Sequence, residues 1–565
     1  MEARVEVIME SVASRKEKSG SVKLVALGGL GEIGLNLMVL ECAGEAIIID
    51  AGVMFPEQRS LGVDLLIPDM TYLDRRRIAA VLLTHAHDDH IGALPFLLRR
   101  YPVPVYGSEL TIAVARQRLL ERAPGREWDL RTIRPREIFE LGPFRIEPLR
   151  VTHSTPDSLA LAIDTPAGLI IHTGDFKIDD APVDGERCDL ARMGELAETG
   201  VRLLLSDSTN VERRGRTASE SSLKPVLREL MRKTSGKFLL SGFSSHLHRF
   251  RQFTEVCHEQ GRRVAVLGRR ISETTRLGIA TGHLQFPPGV FIDEREIPAH
   301  TDDQLGMLTG GSQAEPMSAM VRIAAGAHPR VRLNKGDVVV LSSRFIPGNE
   351  RLIHRLINDL YRLGADVFYE GVAPVHVSGH ASRDELAEII RITRPEFFVP
   401  IHGEYRHLKR HVDLAIECGV RPQDCFLLQD GEPLTIERDG ARGGARVEWG
   451  RTLWDGQALE PEALLYEREA LARSGTVAVM LVVDRRSGEI LAGPDLISRG
   501  FISGDGSSVH LARARQELRR SLEGRPAGHR RPERELKEEV VRALRAYFAE
   551  EVGRTPVIIP WVAEL

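Results

Sequence analysis

The sequence predicts an α/β protein of several domains, and three observations carry that prediction. Apolar runs of strand length give way to helical patterns, as where IAAVLL precedes IGALPFLLRRY. The chain has 565 residues, more than one hydrophobic core accommodates, so roughly two to four domains are expected. Histidines and carboxylates recur just after the strand-like runs.

Composition bounds the function. With 42% hydrophobic and 28% charged residues, this is an ordinary globular chain. The net charge of −4 excludes a global basic field for nucleic acid. Any such contact must come from local clusters, such as Arg75–Arg77, Arg99–Arg100, RRGR at 213–216 or GRRVAVLGRR at 261–270. Arginine runs are more often solvated helix faces. The five cysteines form no CxxC pair, which fits a reducing compartment and argues against a cysteine zinc site. Residues 1–20 carry acids throughout and read as a loose, charged tail. No apolar stretch approaches the ~18 residues that span a bilayer. A cytoplasmic protein with no membrane partner is expected.

The first element to justify is LGGLGEIGLN at 27–36. Gly29, Gly31 and Gly34 satisfy G-x-G-x-x-G, with Asp50 about twenty residues on. A dinucleotide fingerprint needs a helix of ten or more residues after the glycines. Here LNLMVLE, CAGE and AIIIDAG follow, which read as strand, turn and strand. The hairpin leaves no room for the helix, so the dinucleotide reading fails. The glycines instead suit a tight loop whose backbone passes close to a site.

That site is announced by THAHDDHIGA at 84–93, on a strand-to-helix loop. His85, His87, Asp89 and His90 fall within six residues, a donor set that suits borderline divalent metals, zinc above all. With 19 histidines in the chain, chance gathering of this pattern is improbable. His153 follows the apolar run in FRIEPLRVTHS, and Asp175 follows GLIIHTG. Either alone would be an ordinary cap or structural residue. Together they complete a set in which a carboxylate such as Asp175 bridges two cations and activates water. Such a centre hydrolyses esters, amides or phosphodiesters.

Asp50 with the following AG, THAHDDH, His153 and Asp175 resemble the metallo-β-lactamase fold, an αββα sandwich with metals at one sheet edge. Downstream come LLLSDSTN (203–210), SSHLHRFRQ (244–252), TGGSQAEPMSAM (309–320), SSRFIPGNE (342–350), HVSGHAS (376–382) and FVPIHGEYRHL (398–408). This order is similar to the β-CASP nucleases, in which an α/β domain is inserted into the lactamase core. The SDSTN, IPGNE, SGHA and HGEYRHL segments resemble bacterial ribonuclease J almost word for word. The resemblance covers roughly residues 22–440, and the remaining tail is similar to that family's small C-terminal α/β domain.

The resemblance implies roles. His85, His87 and His153 would hold one divalent ion, and Asp89, His90 and His402 a second, with Asp175 bridging. Zinc is expected, manganese being the alternative. Asp50 would support the ligands. Asp207 would open the insertion. Asp89, Asp175 and His380 would be catalytic, His380 stabilising phosphoryl charge or protonating the leaving oxygen. RNA would be contacted by Asp207, His248, Ser343, His376, Ser378, Gly379 and His380. Phe55 would either stack on a terminal base or be a core residue. His402 favours RNA over DNA, since DNA-repair relatives tend to have a smaller apolar residue there.

The implied activity is metal-dependent RNA hydrolysis by a two-metal activated hydroxide, 5′→3′ from 5′-monophosphate ends together with endonuclease cuts, in RNA maturation and decay. The implied partners are single-stranded RNA, a homodimer or homotetramer through the C-terminal domain, and other RNA-decay proteins. Departures from the family pattern are His246 for Asn, Arg270 for the Ser of Gly-Arg-Ser, and Ala314 for Gly. Arg270 could strengthen phosphate binding. A small-molecule metallohydrolase would not need the insertion, and a non-catalytic scaffold would not need the ligand set. The expected organisation is a tail at 1–20, lactamase core at 21–207, β-CASP domain at 208–370, returning core at 371–440, linker at 441–470 and C-terminal domain at 471–565.

Overall fold

A computed structural model describes residues 20–56, 62–346, 348–461, 463–485, 487, 489–502, 506–523 and 532–565. All but the last residue of the expected tail lies outside them. The described chain falls into two compact units, one of residues 1–55 and 65–452, the other of 56–64 and 453–565.

The glycine-rich segment is followed by the expected hairpin. Leu37–Cys42 and Glu45–Ile49 pair antiparallel from Met38↔Ile49 to Cys42↔Glu45. Ala43 and Gly44 both have positive φ, 50° and 82°, the two-residue turn that matches strand twist. The hairpin sits inside an eight-stranded sheet that also contains Val22–Gly28 and Ile78–Leu82. A six-stranded sheet faces it, with Phe397–Ile401, Val201–Asp207, Gly168–His172, Leu159–Thr165, Phe144–Arg150 and Phe139–Leu141 in spatial order.

Alternation builds the layers. Leu159, Leu161 and Ile163 point into the core between the sheets, with Leu24, Leu40, Leu82, Leu205 and Val399. Ala160 and Ala162 point the other way, against Met193 of the helix Leu190–Glu198 and Leu386 and Ile390 of the helix Arg383–Thr393. This is the expected αββα sandwich.

The insertion carries its own sheet, ordered Phe291–Ile292, Arg263–Leu267, Leu305–Thr309, Phe238–Ser241, Val338–Leu341 and Asp366–Phe368, with every pair parallel. The run VVVL at 338–341 is wholly buried, as strands covered on both faces must be. The chain leaves the core after Asp207, and after its return the strand Phe397–Ile401 pairs parallel beside that strand, with Asp207↔Ile401 in register.

The stretch 441–470 differs from the expected linker. It contains most of the strand Gly440–Gly443, the strands Arg451–Trp454 and Leu459–Pro461, and the start of the helix Ala463–Ser474. Gly440–Gly443 is an edge strand on Leu434–Glu437, where backbone pairing tolerates a glycine-rich composition that resembles a loop. The second unit has a central strand Thr476–Val483 between Ile490–Arg499 and Val557–Glu564. The helices Gly506–Glu523 and Glu533–Val552 pack on one face through Leu518, Leu544 and Phe548. No described helix is long and apolar enough to cross a membrane.

One buried carboxylate makes stability depend on pH. Asp430 is 4% exposed and accepts the Leu30 N–H at 3.0 Å. Burial and the nearby Glu32 push its pKa from 3.8 up to about 8, against the Leu30 N–H, Arg451 and Arg446. Between those values the folded state binds a proton that the unfolded chain has lost, so stability falls as pH rises. Asp430→Asn keeps the acceptor and removes the charge. Its melting temperature should exceed the parent's by a margin that grows from pH 5 to pH 8, and an unchanged margin would refute this account.

Candidate metal centre

The strand Ile78–Leu82 delivers THAHDD to the edge of the sandwich, and the one-turn helix Asp88–Ile91 follows. His87 is extended at φ −75°, ψ 147°, so His85 and His87, two apart, face the same way. His87 Nδ1 lies 3.0 Å from His85 Nε2 and 3.2 Å from His153 Nε2. The glycine loop approaches from below. Asn36 donates both its backbone N–H (3.2 Å) and its side-chain amide (3.0 Å) to the Asp89 carbonyl. A Cβ on Gly52 would sit 1.6 Å from that carbonyl oxygen, so glycine is obligatory there.

Outer acceptors fix which ring nitrogen faces inward. Asp50, at φ 61°, accepts from Thr84 N–H and Oγ1, both at 2.8 Å, and from His90 Nδ1 at 2.8 Å. Because the Thr84 hydroxyl donates to Asp50, its oxygen accepts from His85 Nδ1 at 3.0 Å. The Gly379 carbonyl accepts from His153 Nδ1 at 2.8 Å. Thr209 donates its hydroxyl to Asp207 at 2.7 Å and accepts from His402 Nδ1 at 2.9 Å. His85, His90, His153 and His402 therefore all turn Nε2 inward, that of His90 also lying 3.1 Å from the Asn36 amide. His87 turns Nδ1 inward, and Ser154 Oγ lies 3.2 Å from its Nε2.

Asp175 stands at the centre. Its Oδ2 is buried and makes no hydrogen bond among the described residues, yet Nε2 of His90, His402 and His85 lie 3.2, 3.3 and 3.6 Å away. The ligand atoms of His85, His87, His153 and Asp175 lie within 4.8 Å of one another, as do those of Asp89, His90 and His402. Burial, then neighbouring imidazoles, hold His85 and His153 well below the usual histidine range, and burial brings His87 down to about 4. Their lone pairs are thus available. Burial disfavours charge on Asp175, but His402 and His90 outweigh it and keep the carboxyl ionised. Burial likewise opposes charge on His402, but Asp175 and Asp89 raise it to about 9. A buried, ionised carboxylate oxygen without a hydrogen bond among the described residues, facing ring nitrogens of which those of His85, His87 and His153 are held neutral, fits a divalent cation.

Comparison with known proteins identifies the family. Residues 31–208 match the metallo-beta-lactamase superfamily, 235–360 the ribonuclease J beta-CASP domain, 366–424 a Zn-dependent metallo-hydrolase RNA specificity domain, and 463–565 the ribonuclease J C-terminal domain. The chain is 34% identical to ribonuclease J2 of Bacillus subtilis over 98% of its own length and 100% of that protein. It is 37% identical to ribonuclease J 1 of Streptococcus pyogenes, over 96% of this chain and 98% of the relative. The chain belongs to the ribonuclease J family. It is a metal-dependent ribonuclease, a phosphodiester hydrolase that binds RNA. A solved Enterococcus faecalis protein of unknown function shares its fold, with a TM-score of 0.53 at 17% identity over 74% of this chain and all of that one.

In this ribonuclease J family member the remaining candidates divide. His380 joins the cluster, with Nδ1 2.8 Å from Asp207 and 4.0 Å from Asp175. Burial opposes its charge, but Asp207 raises it above the usual histidine range. Ser378 accepts from the Asn210 amide at 2.8 Å, and Asn210 also donates to the His380 carbonyl at 3.1 Å. His376, Ser343 and His248 lie outside the cluster. Arg249 donates to His376 Nδ1 at 3.1 Å, and burial plus that guanidinium bring His376 down to about 2. Ser343 Oγ accepts from Gln313 at 2.9 Å, and His248 Nε2 lies 3.8 Å from Asp184. Phe55 is 54% exposed, which removes the core reading.

Arg270 lies 3.6 Å from Asp88, a carboxylate it shares with Arg118 at 3.0 Å. Ala314 has φ 57°, a conformation glycine adopts without strain. Asn36, Thr84, Ser154, Thr209 and Asn210 had no role assigned from the sequence, although each lies within a quoted motif, LGGLGEIGLN, THAHDDHIGA, FRIEPLRVTHS or LLLSDSTN.

A Cβ on Gly379 would fall 2.8 Å from His153 Cε1 and 2.9 Å from its Nδ1. Gly379→Ala should therefore displace His153, lowering bound metal per chain and cleavage together while the far-ultraviolet spectrum stays unchanged. Full metal content in a folded, fully active variant would contradict this packing argument.

Proposed function

We propose that this ribonuclease works with two divalent cations, zinc or alternatively manganese, one held by His85, His87 and His153 and the other by Asp89, His90 and His402, with Asp175 shared. The observation that carries this reading is the buried Asp175 Oδ2, without a hydrogen bond, lying 3.2–3.6 Å from imidazoles of both groups. Bound there, the ions supply Lewis-acid charge and acidify water for attack on a phosphodiester. Asp50, Gly379 and Thr209 keep the rings oriented. Asp207 holds the His380 Nδ1 proton, leaving Nε2 to stabilise a phosphoryl oxygen or protonate the leaving oxygen. Removing a positioned general acid of this kind costs about 10²–10⁴-fold in rate.

Cleavage proceeds 5′→3′ from 5′-monophosphate ends, with endonucleolytic cuts as a second mode. The family resemblance supports that polarity, and the insertion's parallel sheet offers a place for the RNA end. Ligands of open parallel sheets gather at the carboxyl ends of the strands. There Ser241 and Thr309, paired in register, and the following Ser312 carry buried hydroxyls without a hydrogen-bond partner among the described residues, as does His246 Nδ1. Ser378, Gly379 and the exposed Phe55 would take phosphate and base on the way in.

The C-terminal unit would join copies of the chain as a dimer or tetramer. The sheet face opposite its helices is apolar and open. Met480 pairs with Trp561 in register, and Ala478 with both Ile559 and Ile497. Trp561 is 68% exposed and Ile559 50%, and such a patch usually marks an interface.

Two measurements test these readings. Given Zn²⁺ or Mn²⁺, the protein should release mononucleotides from 3′-labelled single-stranded RNA with a 5′-monophosphate, much faster than from a 5′-triphosphate. His87→Ala should abolish release. Internal fragments alone would leave an endonuclease, and no cleavage by metal-loaded protein would end the proposal. In light scattering after gel filtration, Trp561→Glu should shift the oligomer towards monomer with nuclease chemistry retained. An unchanged mass would place the interface elsewhere.

A further inference from the structure

Two arginines of the insertion contrast sharply. Arg249 is fully buried and saturated. It donates twice to Glu220 at 2.9 Å, to the Ser342 carbonyl at 2.6 Å, to His376 at 3.1 Å and to the Val377 carbonyl at 3.2 Å. Arg344, two residues beyond Ser342, is exposed. Its guanidinium makes one long bond, Nη1 to Asn210 Oδ1 at 3.4 Å, and among the described residues no carboxylate lies within ion-pair distance of it.

The backbone beneath Arg344 is nevertheless held firmly. Gln313, 3% exposed, donates its amide to Ser343 Oγ and to the Arg344 carbonyl, both at 2.9 Å, and accepts the Ile346 N–H at 2.9 Å. The Ser342 N–H bonds the Ser241 carbonyl at 2.7 Å. A rigid base thus presents a guanidinium with most of its five donors unused. Its one partner, Asn210, is also the strut that holds Ser378 and the His380 carbonyl. The surroundings are positive. Arg213 approaches Glu370 only to 3.9 Å, while Arg406 is met by Glu404 and Glu212. Burial and the neighbouring Arg213 hold Arg344 below the usual arginine range, only partly offset by Glu370.

We infer that Arg344 is a substrate-binding residue that takes a backbone phosphate of RNA next to the phosphate handled at His380. This rests on the RNA-cleaving reading above and adds a contact to it. The guanidinium fork matches two phosphate oxygens, and an unpaired arginine beside a phosphodiester site has no other evident neutralising partner. The contact forms with bound RNA in the ground state and the transition state alike, so it acts on KM more than on kcat.

The test is the salt dependence of binding, measured by fluorescence anisotropy with a 5′-monophosphorylated single-stranded RNA on the slow-cleaving His380→Ala background. Each phosphate neutralised on a single strand contributes about 0.7 to the slope of log K against log salt. Arg344→Gln should lower that slope by about 0.7 and weaken binding about tenfold at low salt, with metal content and melting temperature unchanged. Arg344→Lys should restore most of the slope. Arg355→Gln, at an exposed helix position paired with Asp359, controls for net charge and should leave it unaltered. An Arg344→Gln slope equal to the parent's overturns the inference, as does weakened binding accompanied by loss of metal or stability. If the unsubstituted protein fails to bind and cleave RNA, the underlying reading falls first, which is a distinguishable result.

Discussion

A single buried oxygen, Asp175 Oδ2, organises this molecule. An ionised carboxylate without a donor in a protein interior costs several kcal/mol unless something compensates it. Every neighbouring feature works toward that compensation. The surrounding imidazoles present lone pairs because Asp50, Thr84, Gly379 and Thr209 engage their opposite nitrogens. These acceptors come from different strands and loops of both sheets. The site therefore exists only when the sandwich is assembled.

Chain topology completes it. The strand ending at Asp207 pairs with the strand ending at Ile401, so residues far apart in sequence share one sheet edge. His402 follows directly, with Thr209 bridging it to Asp207. The insertion leaves and re-enters at this point, and Arg249 pins it to the loop carrying Ser378–His380.

Legibility in the sequence followed locality. The hairpin at Leu37–Ile49 was readable because its turn and alternation lie within a dozen residues, and that sufficed to reject the dinucleotide fingerprint. THAHDDH was readable because its donors share one loop. The strands within 441–470 were not, because an edge strand such as Gly440–Gly443 is held by backbone pairing and leaves little mark on composition. His376 is read from the sequence as a substrate contact, and its Nδ1 accepts from Arg249. Such a partnership forms only in three dimensions.

By itself the sequence determined the fold class, the inserted architecture, the family and which histidines and carboxylates to expect in one cluster, because periodicity and short motifs encode local geometry directly. Tertiary structure decided which nitrogen of each histidine faces the centre, that Asp175 Oδ2 lies near imidazoles of both groups, and that Arg270 approaches Asp88 while Arg344 has no carboxylate within ion-pair distance among the described residues. Those facts depend on distances between segments up to hundreds of residues apart, and such distances are set by sheet pairing and packing.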